Sequence, residues 1–213
     1  MAASAFEGFR AGVSPLLMAI VSEGGALAAR RALQGGADLV QVRAKRLSTR
    51  QLRSLVSEVI EECGGGQRVL VNSRPDIAEL TGALGVHLPE DGLDPRSVRR
   101  SFPGLLVGVS RHDRPGLEAA VASGVDYALM GPVFETPGKG AWALGRDRFE
   151  EMVRGIAIPV FGVGGIDPAT AGEVIAAGAR GVAAIRPFHD PSGAFAAAAS
   201  IRSGLEQTRA LAR

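Results

Sequence analysis

Eight short apolar runs recur along this chain, and they limit its fold more than any other feature. They are LLMAIV (16–21), DLVQVR (38–43), RVLVN (68–72), GVHL (85–88), LLVGVS (105–110), DYALM (126–130), PVFGV (159–163) and GVAAI (181–185). Each holds four to six residues, is rich in Val, Ile and Leu, and lacks clean polar alternation. Strands buried on both faces have this composition. Stretches of helical period lie between them: 48–63 behind a Ser cap, 94–102, 114–124, 167–178 and an Ala-rich C-terminal segment. Three of these open with Asp-Pro or Arg-Pro, and two end in Gly, as helix starts and stops often do. The runs follow one another at about 25 residues. Eight β–α units in 213 residues predict a single (β/α)8 TIM barrel over 1–213, with its core at about 16–205. A doubly wound open sheet is the alternative. The count of eight favours the barrel.

Composition narrows the function by exclusion. The net charge is +2, no run of Lys and Arg occurs, and there is one Trp and one Tyr. These features leave no nucleic-acid footprint. The single cysteine, Cys63, rules out an internal disulfide and fits a reducing cytoplasm. No Cys/His zinc pattern is present. The N-terminal residues lack a basic stretch before an apolar core, and PLLMAIV is too short to span a bilayer. The expectation is a cytoplasmic protein that engages neither membrane nor nucleic acid. Composition leaves the oligomeric state open, a homodimer included.

In a barrel of this kind, chemistry sits at the C-terminal ends of the strands. Polar residues that end strands or open the following loops are therefore the candidates. They are Gln41, Arg43 and Lys45; Asn72 and Ser73; His87, Glu90 and Asp91; Ser110 and His112; Thr136 and Lys139; Gly164 and Gly165; and Arg186. Both lysines of the chain, Lys45 and Lys139, are among them. Gln41 and Arg43 alternate, so both should face the barrel interior near its mouth.

Each group has a bland reading beside the functional one. The Gly164–Gly165 pair after the seventh strand, with AAIRPF after the eighth, can present backbone N–H groups to a phosphate. It can equally be a turn that needs positive φ. Gln41, Arg43 and Lys45 can clamp a diphosphate, or form a salt-bridged edge. Asn72 and Asp91 offer oxygens suited to Mg²⁺. They can also be turn residues, with Asp76 as a helix cap. His87, inside an apolar run, reads as a satisfied core histidine. His112 is a candidate general base or orienting group.

In this order and spacing, QVRAK, VNSRPDIAEL, GVHLPEDGL, VGVSRH, DYALMGPVFETPGKG, PVFGVGGI and GVAAI resemble the thiamine phosphate synthase and thiazole tautomerase family, from about residue 16 to 190. The resemblance implies a (β/α)8 barrel acting on small phosphorylated substrates. The synthases join an aminopyrimidine methyl diphosphate to a thiazole phosphate and release pyrophosphate, with Mg²⁺ on the leaving group. It further implies that Gln41, Arg43 and Lys45 hold the pyrimidine diphosphate, and that Asn72 and Ser110 contact the same substrate. Lys139 would meet the pyrophosphate and Thr136 the thiazole side, with Gly138 between them. Gly164, Gly165, Ile185 and Arg186 would hold the thiazole phosphate. Such a substitution needs preorganised positive charge on the leaving group rather than a strong nucleophile.

The chain departs from the synthase pattern at four places. Ser73 stands where the family carries a metal-binding Asp, which leaves Asp91 as the metal carboxylate, or Glu90 in its place. The HLPED register is tighter than usual. One hydroxyl is missing from Thr136-Pro137-Gly138-Lys139. Arg186 stands where a Ser is expected. The FET and HLP segments lean toward the tautomerases, but Pro132 occupies the position of their proton-transferring His. His112 would then have to act as the acid–base. Three expectations follow: a synthase, a tautomerase with a relocated base, or a non-catalytic phosphate-binding barrel.

Overall fold

The computed structural model describes residues 15–135 and 142–211. Eight strands alternate with eight α-helices among these residues. The strands are β1 (Leu16–Val21), β2 (Leu39–Val42), β3 (Val69–Asn72), β4 (Gly85–Leu88), β5 (Leu106–Arg111), β6 (Tyr127–Met130), β7 (Val160–Val163) and β8 (Gly181–Ala184). The helices are α1 (Ala26–Gln34), α2 (Thr49–Glu62), α3 (Pro75–Thr81), α4 (Pro95–Ser101), α5 (Arg114–Ala122), α6 (Arg146–Val153), α7 (Ala171–Ala176) and α8 (Pro191–Leu211). Every strand pairs in parallel with the next, and β8 pairs with β1, so the sheet closes. This is the expected (β/α)8 barrel and not the open sheet.

Two cores result. Residues of one strand parity pack against the helices; Val40, Val42, Val69, Val71, Val107 and Val109 belong to this shell. The other parity fills the barrel with Met18, Ile20, Leu39, Leu70, Tyr127, Leu129, Phe161 and Ala183. The two large rings need space inside so narrow a barrel, and glycines supply it. A Cβ on Gly108 would sit 2.0 Å from Tyr127 Cζ, and one on Gly181 would sit 2.6 Å from Phe161 Cε1.

Local chemistry sets the helix starts. Ser48 caps α2 in a reciprocal box with Gln51. Leu52, Leu55, Val56 and Val59, on one helical face, are its buried stripe. Asp94 and Asp113 accept backbone N–H groups at the starts of α4 and α5. α7 begins later than the expected 167, because Asp167 Oδ1 accepts from the amides of Ala169 and Thr170 and holds a turn. Asp76 is a correction: it lies in the first turn of α3 with its carboxylate held by Arg74, and no side chain caps that helix. No helix among the described residues is long and apolar enough to cross a membrane.

Candidate active site

The strand alternation carries Gln41, Asn72, His87 and Ser110 to the C-terminal end of the barrel on its inward side. The ladder sets Asn72 beside His87, and His87 beside Gly108. Gln41, His87 and Tyr127 are 1%, 2% and 0% exposed. Buried polar groups of this kind are costly unless hydrogen-bonded. His87 meets that demand twice: Nδ1 lies 3.1 Å from the Tyr127 hydroxyl, and Nε2 lies 2.8 Å from Ser110 Oγ. Burial pushes the His87 pKa down to about 3, with the cations Arg43 and Arg111 adding to the effect. His87 is thus the satisfied core histidine expected, and two arginines lie close enough to act on it.

The Gln41 amide lies beside the Tyr127 hydroxyl. Its Nε2 nevertheless reaches hydrogen-bonding geometry with no group among the described residues. At the rim, Arg43 is half-buried and Lys45 is exposed. Neither side chain makes a hydrogen bond or ion pair among the described residues. Arg111 is folded back, donating to the carbonyls of Ser110 and Gly116.

Asn72 Nδ2 donates to Ser73 Oγ at 2.7 Å, and Ser73 N donates to the His87 carbonyl at 2.8 Å. Ser73 has φ 64°, a left-handed conformation in a non-glycine residue. Asp and Asn adopt it more readily than Ser. The Asp that the resemblance leads one to expect at this position would suit both the backbone and a metal. Ser73 serves neither as well.

Glu90 and Asp91 occupy an exposed turn closed by Gly92 N to the Pro89 carbonyl. Glu90 is engaged, its carboxylate 3.3 Å from His112 Nε2. The other nitrogen of that ring, Nδ1, lies 2.5 Å from the Gly131 carbonyl. Both ring nitrogens of His112 therefore have an oxygen neighbour, the Gly131 carbonyl at Nδ1 and the Glu90 carboxylate at Nε2. Among the described residues, no group of three His, Cys, Asp or Glu side chains could hold a metal ion.

Across the mouth, Gly164 and Gly165 have φ 95° and 64°. A Cβ on Gly164 would lie 2.6 Å from Pro132 Cβ, and one on Gly165 would lie 2.6 Å from Phe134 Cβ. The pair thus lets this loop pack on the loop after β6. The turn leaves the amides of Gly165 and Ile166 without a described acceptor. Ile185 packs on the interior core, and Arg186 opens a short 3₁₀ turn. Thr136, Gly138 and Lys139 lie outside the described residues.

Two residues of this mouth carried no functional expectation. Tyr127 read as one more apolar strand residue, although it is the only tyrosine in the chain. Arg111 stands between the candidates Ser110 and His112.

A family model described as thiamine monophosphate synthase matches residues 19–188. A protein named putative thiamine-phosphate synthase, from Geobacter sulfurreducens, is 45% identical over 159 residues, which is 72% of this chain and 74% of that one. The thiamine-phosphate synthase of Methanocella arvoryzae is 36% identical over 185 residues, covering 85% of this chain and 87% of its own. Among solved structures, a thiamine phosphate pyrophosphorylase from Pyrococcus furiosus superposes with a TM-score of 0.81 at 26% identity, covering 91% of this chain and 96% of that one. With most of its length matched by the family model and by these relatives, this chain belongs to the thiamine monophosphate synthase family.

Proposed function

We propose that this protein is a thiamine phosphate synthase, joining an aminopyrimidine methyl diphosphate to a thiazole phosphate with release of pyrophosphate. The observation that carries the reading is a barrel mouth whose cations Arg43 and Lys45 hold no carboxylate among the described residues, next to a histidine whose two nitrogens both have oxygen neighbours. That arrangement suits departure of an anion better than proton abstraction. It weighs against a tautomerase that uses His112 as its base.

In this reading Arg43 and Lys45 bind the diphosphate, Arg43 through a fork and Lys45 as a mobile point charge. Gln41, Asn72 and Ser110 orient the pyrimidine. Gln41 Nε2, which reaches no hydrogen-bond partner among the described residues, is a buried donor that a ligand would satisfy. The Gly164–Gly165 turn, with Ile185 and Arg186, holds the thiazole phosphate through backbone amides. Lys139, with Thr136 and Gly138, keeps the role that the resemblance implies, toward the departing pyrophosphate.

The described residues offer no protein cage for Mg²⁺. One exposed carboxylate, Asp91, fits an ion that retains waters and substrate phosphates. When bound, Mg²⁺ would neutralise charge on the leaving group. A cytoplasmic setting accords with the lone buried thiol, Cys63, whose pKa burial pushes up to about 11.

The test mixes purified protein with both substrates, with and without Mg²⁺, and quantifies thiamine phosphate and pyrophosphate. We expect Mg²⁺-dependent product in equal amounts, retained in His112→Ala and lost in Lys139→Ala. Absence of product, with both ligands shown to bind by calorimetry, would overturn the reading.

A further inference from the structure

Residues 39–57 carry five cations, Arg43, Lys45, Arg46, Arg50 and Arg53, and no Asp or Glu. In a chain with 24 basic and 22 acidic residues this is a local excess. The stretch runs from β2 through the following loop into the first turns of α2, so the fold gathers its cations at the end of the barrel where the strands finish. Arg43 is half-buried there, and the other four are exposed. None of the five holds a carboxylate among the described residues. Carboxylates on the adjoining segments are placed elsewhere. Asp38, before β2, is held by Arg202 at the opposite end, and Asp76 is held by Arg74. Glu23, in the loop after β1, makes no ion pair with any of the five.

Helix stability does not account for this pattern. A helix favours acidic residues in its first turn and basic residues in its last. α2 has neither; Arg50 stands in its first turn, and Glu61 and Glu62 stand in its last. Arg50 and Arg53, three residues apart on the helix surface, repel each other. The Ser48–Gln51 box caps the helix without using any of these charges. Arg74 fixes where the cations lie. Its Nη1 donates to Thr49 Oγ1 at 3.0 Å, while its Nε and Nη2 hold Asp76. The start of α2 is thereby tied to the start of α3, next to Ser73. The exposed cations border the mouth on the side of Arg43 and Lys45.

We propose that Arg46 and Arg50 form an approach surface for small polyanions: they draw an oligophosphate toward Arg43 and Lys45 by charge alone and do not ligate it. Cations lining the approach to a cleft raise the local concentration of an anion in this way. Arg53, a turn further along α2, adds to the same field. Residues 39–57 hold no aromatic side chain to stack a nucleobase, so the charge fits a small phosphate compound and not a nucleic-acid strand. That the anion is a substrate diphosphate rests on the proposed function; the attraction itself does not.

Calorimetry with metal-free inorganic pyrophosphate reads the attraction without turnover. Arg46→Gln/Arg50→Gln should weaken binding about fivefold at about 20 mM NaCl. The difference should shrink below about twofold at about 0.3 M NaCl, where screening acts within less than about 8 Å. Arg46→Lys/Arg50→Lys should bind like the unaltered protein, because a field needs the charge and not the guanidinium fork. Arg154→Gln/Arg180→Gln removes the same charge at the end where the strands start, and it too should bind like the unaltered protein. In the synthase assay the first double variant should lose kcat/KM for the diphosphate and keep kcat. Equal affinity of that variant and the unaltered protein at low salt would overturn the proposal, as would an unaltered protein that binds no pyrophosphate there. A loss that persists at high salt, or that appears in the Lys variant, would make these residues ligands and sink the proposal. An equal loss in the opposite-end variant would sink it by making net charge the cause. A failed synthase assay beside the expected binding results would overturn the proposed function and leave this proposal standing.

Discussion

At the scale of single residues, the barrel interior is a fit between rings and missing side chains. A Cβ on Gly108 would fall 2.0 Å from Tyr127 Cζ and 2.2 Å from Cε1. The ring cannot swing away easily, because its hydroxyl meets His87 and its edge meets Phe161 at a centroid distance of 5.5 Å. Gly108→Ala should therefore destabilise the fold by about 3 kcal/mol, the upper part of the usual overpacking range. Tyr127→Leu in the same chain should recover part of that loss. Urea denaturation of the two single variants and the double variant measures the coupling, and additive losses would refute the fit. This complementarity was not legible in the sequence. Residues 105–110 and 126–130 identify themselves as strands, but period and composition do not say which residue lies opposite which. His87 could be read as a core histidine, since a lone polar residue in an apolar run must find partners. Its partners Tyr127 and Ser110 come from other strands, and only the ladder register brings them together.

At the scale of elements, the eight apolar runs match the eight strands within one residue at each end, because a buried parallel strand is marked by its content alone. Helices were legible where a cap and a long apolar stripe coincide, as in α2. α1, α3 and α6, which lack a side-chain cap, were not legible. The C-terminal helix was visible as Ala-rich, with Ala194, Ala198, Ile201 and Leu205 making its buried stripe. Its anchoring was not visible. Arg202 donates to the Gly36 carbonyl from Nε and Nη2, to the Pro15 carbonyl from Nη1, and to Asp38, which itself accepts from Leu17 N. One guanidinium thus fastens α8 to the start of β1 and to the loop before β2. Arg202→Ala should cost about 2 kcal/mol, since the site is only partly shielded from water. Arg202→Lys should recover little, because a compact ammonium cannot reproduce the planar fork. Hydrogen exchange should show faster opening of α8 in both variants. Global stability and α8 exchange that match the unaltered protein would show that the helix is held by its apolar stripe alone.

At the scale of the whole molecule, individual cations at the two ends of the barrel differ in how they are paired. At the end where the strands start, Arg99, Arg154 and Arg202 each hold a carboxylate, on Asp126, Glu150 and Asp38. At the opposite end Arg43 and Lys45 hold none among the described residues, although the chain as a whole carries only +2. The attraction for an anion proposed here is therefore local to the mouth and does not come from a basic protein. Pyrophosphate should bind there and stabilise the fold. At about 100 times its Kd the gain is about 2.7 kcal/mol, or roughly 5–10 °C in Tm for a chain of this length. Arg43→Ala should remove most of that shift, while Arg154→Ala, at the other end, should leave it intact. Added NaCl should weaken the shift, since the exposed part of the attraction is screened over about 10 Å at 0.1 M. Thermal melts of the three proteins, with and without pyrophosphate at two salt concentrations, decide the matter. An equal shift in the Arg43→Ala and unaltered proteins would place the anion elsewhere. A shift lost in Arg154→Ala would place the anion at the end where the strands start, and the mouth could not then be the site at which the leaving group is held.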